Sequence, residues 1–355
     1  MSHSAHDKRL NALVGVLIGT AVGDSLGLPA EGMSRQRIRA RWGGVWRHRF
    51  LFGRGMVSDD TEHTLFVAQA LLTHPGDPIA FQRCLAWKLR LWLLGLPAGI
   101  GLATLKAILK LWLGISPNRS GVWSAGNGPA MRSAIIGAYF ADDPAKRRAF
   151  VSSSTRLTHS DPKAEAAALA VAEAAAWAVN QNEPIEQWLT RLSSLGCDEE
   201  WRSVCQKLAD ALVSETSVVE FADSLGLQKG VTGYAYHSVP VALYAWLRHR
   251  DNFRKALESA LDCGGDTDTV GAIVGAIMGA RVGKEGVPPG LIAGVHEWPR
   301  SISLLEQIAA RLAQQKGSAQ AVGPVQYFWP GLILRNLLFV VVVLIHGFRR
   351  LAPPY

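Results

Sequence analysis

Apolar residues in this chain recur mostly at helical spacing, and the alternating pattern of a half-buried strand is scarce. After Ser58-Asp59-Asp60-Thr61, the residues Leu65, Phe66, Ala68 and Leu72 trace one helix face. After Gly264-Gly265-Asp266-Thr267-Asp268-Thr269, Val270, Ile273, Val274, Ile277 and Met278 do the same. Asp161-Pro162 opens an alanine-rich run that continues to Val179, with aspartate as N-cap and proline at the first helical position. Residues 89–115 are strongly apolar, but Gly95, Pro97, Gly99 and Gly101 split them, and Lys106 and Lys110 return four residues apart. That pattern predicts two core helices around a turn, not a membrane span. Gly271, Gly275 and Gly279 also stand four apart, and with Asp266, Asp268 and Arg281 at their flanks they predict a closely packed central helix. Together these elements predict an all-α protein. Its 355 residues suffice for one large helical domain or for two.

The C-terminal pattern differs. A linker-like stretch from Gln314 to Gln320 divides the chain into a domain at 1–315, a linker at 316–326 and a hydrophobic tail at 327–355. Tyr327 to Phe348 spans 22 residues, with aromatics at one end and Arg349-Arg350 at the other. A bilayer span needs about 20 mainly apolar residues. Arg335 and Asn336 interrupt this one, leaving Leu337 to Ile345 as the uninterrupted run. The tail therefore predicts membrane attachment by a span or an interfacial helix, or else a helix packed on the domain or on a partner. A simple span conflicts with the arginine pair, which would stay cytoplasmic beside a cytoplasmic domain.

The net charge of +8 is uneven. Arg35, Arg37, Arg39, Arg41, Arg47, Arg49 and Arg54 crowd a segment with no acid between Glu31 and Asp59, interleaved with Trp42 and Trp46. A solvated loop explains it; so would contact with nucleic acid, anionic lipid, an acidic protein face or a bound pyrophosphate, and of these no nucleic-acid partner is expected. The four cysteines form no paired framework and no CxxC, which suits a reducing compartment. Met1 to Arg9 is polar and Asp24 breaks the apolar run behind it, so no signal peptide is predicted and the catalytic part is expected in the cytoplasm. Cys263 reads as a core residue.

The two acidic helix starts carry the candidate chemistry. Ser, Thr and Asp are preferred N-caps and an acidic first turn suits the helix dipole, so capping accounts for one residue of each cluster. Each cluster holds four. Aspartates beside short hydroxylated arms are the oxygen donors that a hard divalent cation takes. With no His or second Cys at matching spacing, zinc is disfavoured. An extended chain ahead of the second helix would turn Asp266 and Asp268 to one side, with Thr269 following on the first turn. Gly126-Asn127-Gly128 reads as a tight turn into a helix, either a plain turn or one that admits a ligand close to the backbone. His159 alone reads as a structural histidine.

Taken in order, Gly19-Thr20-Ala21-Val22-Gly23-Asp24-Ser25-Leu26-Gly27, Glu31, Ser58-Asp59-Asp60-Thr61, Gly126-Asn127-Gly128-Pro129-Ala130-Met131-Arg132, Thr158-His159 and Gly265-Asp266-Thr267-Asp268-Thr269 resemble the ADP-ribosylglycohydrolase family. The resemblance covers roughly residues 8 to 300. It implies a compact multi-helix fold around two magnesium or manganese ions that hydrolyses the bond from ADP-ribose to a protein side chain. It implies Ser58, Asp59, Asp60, Asp266, Asp268 and Thr269 as metal ligands, with serine at 58 in place of the commoner threonine. It further implies Glu31 and Asp60 as catalytic, with Glu31 either accepting a proton from water or orienting it. Asn127, Gly128, Met131 and His159 become substrate contacts. Between Glu62 and Asp142 the only acid is Asp77, so a carboxylate for a substrate guanidinium is lacking there. Arginine linkage is therefore disfavoured unless Glu31 serves, and serine linkage or a small ADP-ribosylated molecule stays open. Two rivals remain: a non-catalytic ADP-ribose binder of the same fold, and a magnesium-dependent phosphoester hydrolase.

Overall fold

The computed structural model of the chain describes residues 3–181, 183–315 and 321–350, with side chains of the first helix described from Asp7 onward. Among the described residues it has 18 α-helices, one 3-10 helix and only isolated β-bridges. The protein is all-α, as the periodicity predicts.

Gly271, Gly275 and Gly279 do lie in a central buried helix, Thr267–Val282. Its partner is the first helix, His3–Gly27, which carries an equivalent stripe that the sequence reading passed over: Gly15, Gly19, Gly23 and Gly27. A Cβ on Gly19 would stand 2.0 Å from the Gly275 carbonyl oxygen, and one on Gly279 would stand 1.9 Å from that of Gly15. No side chain fits in those gaps, so the two backbones touch. The matched positions (15 with 279, 19 with 275, 23 with 271, 27 with 267) run antiparallel. The end of the first helix therefore lands beside the start of the central one, and this register positions the site.

Other helices close around the pair. Asp161 caps Pro162–Asn180 by accepting from the Lys163 N–H at 2.9 Å, and the alanines of that helix allow a neighbour to approach closely. A Cβ on Gly137 would stand 2.1 Å from the Ala172 carbonyl oxygen. Residues 89–115 form the end of Pro78–Leu94, a turn, and Leu102–Trp112. These two helices are only half core. Leu89, Trp92, Ile108 and Leu111 are buried, whereas Leu91, Leu94, Leu102, Leu109 and Leu113 face outward, because each helix packs on one side only.

Of the predicted linker, 316–320 lie outside the described residues. The following segment runs over the Asp59–Thr73 helix, where the Val325 backbone exchanges two hydrogen bonds with the Gln69 side chain, 2.9 and 2.8 Å. The C-terminal helix Gly331–Arg349 lies against the domain. Arg335 pairs with Glu297 at 2.7 Å, Asn336 donates to the Gly95 carbonyl at 2.6 Å, and Phe339 and Val342 join Leu28, Phe50 and Met56 in a second small core. Cys263 is buried, which pushes its thiol up to about 12, as befits a core residue.

Candidate active site

The site is assembled around Asp24, near the end of the first helix. Its carboxylate accepts from the Ser58 N–H at 3.0 and 2.9 Å, from the Thr61 N–H at 3.2 Å and from the Thr61 hydroxyl at 2.5 Å. One buried carboxylate thus ties the start of the Asp59–Thr73 helix to the glycine-knit pair. Ser58 is the N-cap of that helix and accepts from the Asp60 N–H, so the capping reading holds for it. Capping does not exhaust its role. Asp60 Oδ2 accepts from the Ser58 hydroxyl at 3.0 Å and from the Thr269 hydroxyl at 3.3 Å, joining clusters 209 residues apart. Asp60 Oδ1 and Asp268 Oδ1 are buried without a hydrogen-bond partner among the described residues.

The second cluster is delivered by two glycines in left-handed geometry, Gly264 (φ +67°) and Gly265 (φ +82°). A Cβ on Gly265 would stand 1.9 Å from the Val231 carbonyl oxygen. Gly265 donates to the Met33 carbonyl and accepts from the Gly32 N–H, both at 2.8 Å, and this clasp brings Glu31 to the acidic centre. The central helix begins at Thr267, so Asp268 already lies on its first turn. The alternation of an extended chain, expected from the sequence, is therefore not what unites Asp266 with Asp268; the helical turn is. Asp266 holds the N-cap position but caps nothing with its side chain. Its Oδ2 instead accepts from Asn127 Nδ2 at 2.6 Å, and Asn127 also donates to the Ser238 hydroxyl at 3.0 Å. Gly126 and Gly128 leave room for the His159 ring, 3.0 and 3.2 Å from where their Cβ atoms would stand.

These parts line one cavity of about 720 Å³. Its wall includes Glu31, Ser58, Asp59, Asp266, Asp268 and Thr269 together with Asn127, Gly128, Met131 and His159. Asp60 alone of the predicted residues lies beneath the wall, 1% exposed. Burial, reinforced by neighbouring carboxylates, holds Asp59, Asp60 and Asp268 well above the ordinary carboxylate range. Burial also raises Asp24 to about 7, opposed by its hydrogen bonds to Thr61 and Ser58. Glu31, at the rim, is raised by lost hydration and then by Asp266. His159 is lowered to about 3 by burial and then by Arg132, so its ring is neutral. Its Nδ1 lies 2.9 Å from the Thr158 hydroxyl, which accepts from Arg132 at 2.7 Å.

No three His, Cys, Asp or Glu side chains among the described residues already converge as a closed metal cage. The donor chemistry nonetheless fits a hard cation. Unpartnered carboxylate oxygens in a dry, mutually repelling cluster, mixed with serine and threonine hydroxyls, are what a divalent charge stabilises. Two contributions were missed from sequence. Asp24 stood in a quoted motif without a role. The C-terminal helix lends Phe339 and Val343 to the cavity wall, while Arg350 donates to the Glu31 carbonyl at 2.7 Å and to that of Pro29 at 3.2 Å.

An all-α scaffold whose paired helices turn two acidic helix starts onto one cleft defines a class of fold that known proteins share. The family model described as ADP-ribosylglycohydrolase matches residues 5–321, and the chain belongs to that family. An uncharacterized protein of Archaeoglobus fulgidus is 33% identical over 270 residues, covering 72% of this chain and 83% of the relative. The ADP-ribosyl-[dinitrogen reductase] glycohydrolase of Rhodospirillum rubrum is 25% identical over 298 residues, covering 82% and 90%. A solved structure described as an ADP-ribosylglycohydrolase-related protein complex superposes with a TM-score of 0.64 at 24% identity, over 87% of this chain and 99% of that one, a likeness of fold.

Proposed function

We propose that this protein is a cation-dependent hydrolase that releases ADP-ribose from an ADP-ribosylated protein or small molecule. Asp60 carries the reading: it accepts from Ser58 and Thr269, hydroxyls of both acidic clusters, and turns an unpartnered oxygen into a buried, carboxylate-rich site. Ser58, Asp59, Asp60, Asp266, Asp268 and Thr269 would hold two ions, magnesium or manganese. When bound, such ions supply Lewis acidity and lower the pKa of water. Glu31, with its raised pKa, is suited to take a proton from the attacking water at the rim or to orient that water. The neutral His159 and the Gly126–Gly128 turn form the wall suited to the ribose and phosphates, and Asn127 is fixed there by Asp266 and Ser238. The cavity acids, Glu31, Asp59, Asp266 and Asp268, all belong to the catalytic or cation set, and Asp77 caps an exposed helix start. Among the described residues no other carboxylate lines the cavity to meet a guanidinium, which favours a serine-linked or small-molecule substrate over an arginine-linked one. The four free cysteines support a reducing, cytoplasmic setting.

The test follows free ADP-ribose from serine- and arginine-linked substrates with full-length protein and magnesium or manganese. We expect cation-dependent release, abolished by chelation and lowered about 100-fold or more in Asp60→Asn and Asp268→Asn. Phosphate as the product instead would make the protein a phosphoester hydrolase, and tight ADP-ribose binding without turnover would make it a binder.

A further inference from the structure

Apart from Leu332, Phe339 and Val342, which pack on the domain, the C-terminal helix is inside out. Its polar residues point at the domain: Arg335 to Glu297, Asn336 to the Gly95 carbonyl, His346 to the Phe50 carbonyl at 2.7 Å, and Arg350 to the Glu31 carbonyl. Its outward positions carry Leu334, Leu337, Val341, Leu344, Ile345 and Phe348, each 52–69% exposed. A helix that merely packs on a water-soluble domain has the opposite arrangement. The apolar face is therefore presented, not left over.

Two further features stand beside it. A groove of about 840 Å³ runs along the end of the helix, lined by Arg41, Arg47, Arg49, Arg349 and Arg350 with no acidic residue in its wall. Like charges repel there: after burial, Arg349 and Arg37 lower Arg41, and Arg47 does the same to Arg49, while Arg350 is offset by Glu31 and Asp268. On the same wall the Leu51–Arg54 turn holds Phe52 at its tip, 98% exposed and at φ +46°, a backbone geometry that a phenylalanine rarely adopts. Leu51 also borders an apolar groove of about 590 Å³ with Met56, Trp298, Leu334 and Leu338. An arginine-lined groove, an exposed aromatic tip and an apolar slot beside one helix suit the headgroup, interface and acyl layers of a lipid leaflet.

We propose that the helix Gly331–Arg349 lies in the plane of an anionic membrane surface, with its leucine face in the acyl boundary and phospholipid headgroups in the Arg41–Arg47–Arg49–Arg349 groove. The inference is independent of what the active site hydrolyses. It deepens the attachment expected from the tail's composition by choosing an interfacial helix over a span: with Arg335, Asn336 and Arg350 bonded to the domain, the helix cannot cross a bilayer without leaving the fold.

Full-length protein floated with vesicles of phosphatidylcholine, alone or mixed with phosphatidylserine, tests this. Binding is expected to need the anionic lipid, to weaken with salt, and to fall about tenfold or more in Leu337→Gln/Leu344→Gln and in Arg47→Glu/Arg349→Glu. Helix content and ADP-ribose release from a soluble substrate are expected to stay unchanged in both, so a failure here is separable from failure of the hydrolase reading. No vesicle binding overturns the proposal. So does a dimer in solution that Leu337→Gln/Leu344→Gln dissociates, since a second copy would then own the face. Binding insensitive to the arginine substitutions overturns the headgroup assignment.

Discussion

Among the described residues two stretches are long and apolar enough to cross a bilayer, and the protein uses them in opposite ways. The most apolar 18 residues within Asp7–Ala30, mean hydropathy 1.5, are wholly buried; those within Gly331–Arg349, mean hydropathy 2.1, are only 33% buried. The more apolar helix is the more exposed one. The difference lies in the placement of small and polar residues. The first helix offers glycine every fourth residue to a matching stripe, and backbone meets backbone. The C-terminal helix spends its polar residues on the domain and leaves all its leucines but Leu332 outside. Average apolarity marks a helix that must avoid water; the pattern of exceptions decides where it goes.

The largest expected effect breaks the first half of that contrast. Gly275→Val forces a branched side chain against the Gly19 carbonyl oxygen, 2.1 Å from the site of its Cβ. We expect a loss of about 4 kcal/mol or more, read as loss of soluble folded protein or of the urea midpoint. Next comes the anchor of the second helix. Arg335→Ala leaves Glu297, with its side chain 3% exposed, charged and unpaired, which costs about 3 kcal/mol or more. Hydrogen exchange would speed up in 331–349 while the first helix stays protected. Arg335→Met with Glu297→Met would recover most of the loss, since an apolar pair needs no partner charge.

Cation binding ranks third and acts at the end of the first helix. Magnesium or manganese at about 100 times its Kd would stabilise the fold by about 2.7 kcal/mol, seen as a rise in Tm that chelation reverses. The pH dependence has a definite sign. Carboxyls raised by folding favour their protonated form, so their contribution is full below the unfolded value of 3.8 and is lost as pH climbs through the folded one, about 7 for Asp24. Metal-free protein should therefore lose stability from pH 4 to 7, and the cation-induced rise should be larger at pH 8 than at pH 5.

What the sequence disclosed follows the range of each interaction. Helix starts, caps and the acidic clusters are local, and Ser58 and Asp161 sit where their neighbours predict. Asp268 lost its expected extended geometry because the helix has already started at Thr267. Half of the glycine interlock was read from Gly271, Gly275 and Gly279. The other half carries the same four-residue signal but lies over 240 residues away, and nothing local marks it as the partner. Asp24 was equally hidden, because the donors to its carboxylate, Ser58 and Thr61, stand 34 and 37 residues downstream. Arg335 and Asn336 were read as interruptions of an apolar run. They are its attachment points, a distinction that only the opposing surface of Glu297 and Gly95 supplies.

The smallest expected effect sharpens the comparison most. Leu337 is 52% exposed on the outer face, so Leu337→Gln removes little buried area and should change the urea stability by no more than about 0.5 kcal/mol. A leucine to glutamine change on the inner side of either long helix would cost several times that, because the polar group would be buried without a partner. A near-zero result would mean that water is the only neighbour of this face in the isolated protein. The leucine there would then be serving something other than folding, and the same variant's loss on vesicles would become the readout of its use. A cost above about 2 kcal/mol would instead mean that the face is already covered in solution, and the two apolar helices would differ only in which copy of the chain they pack against.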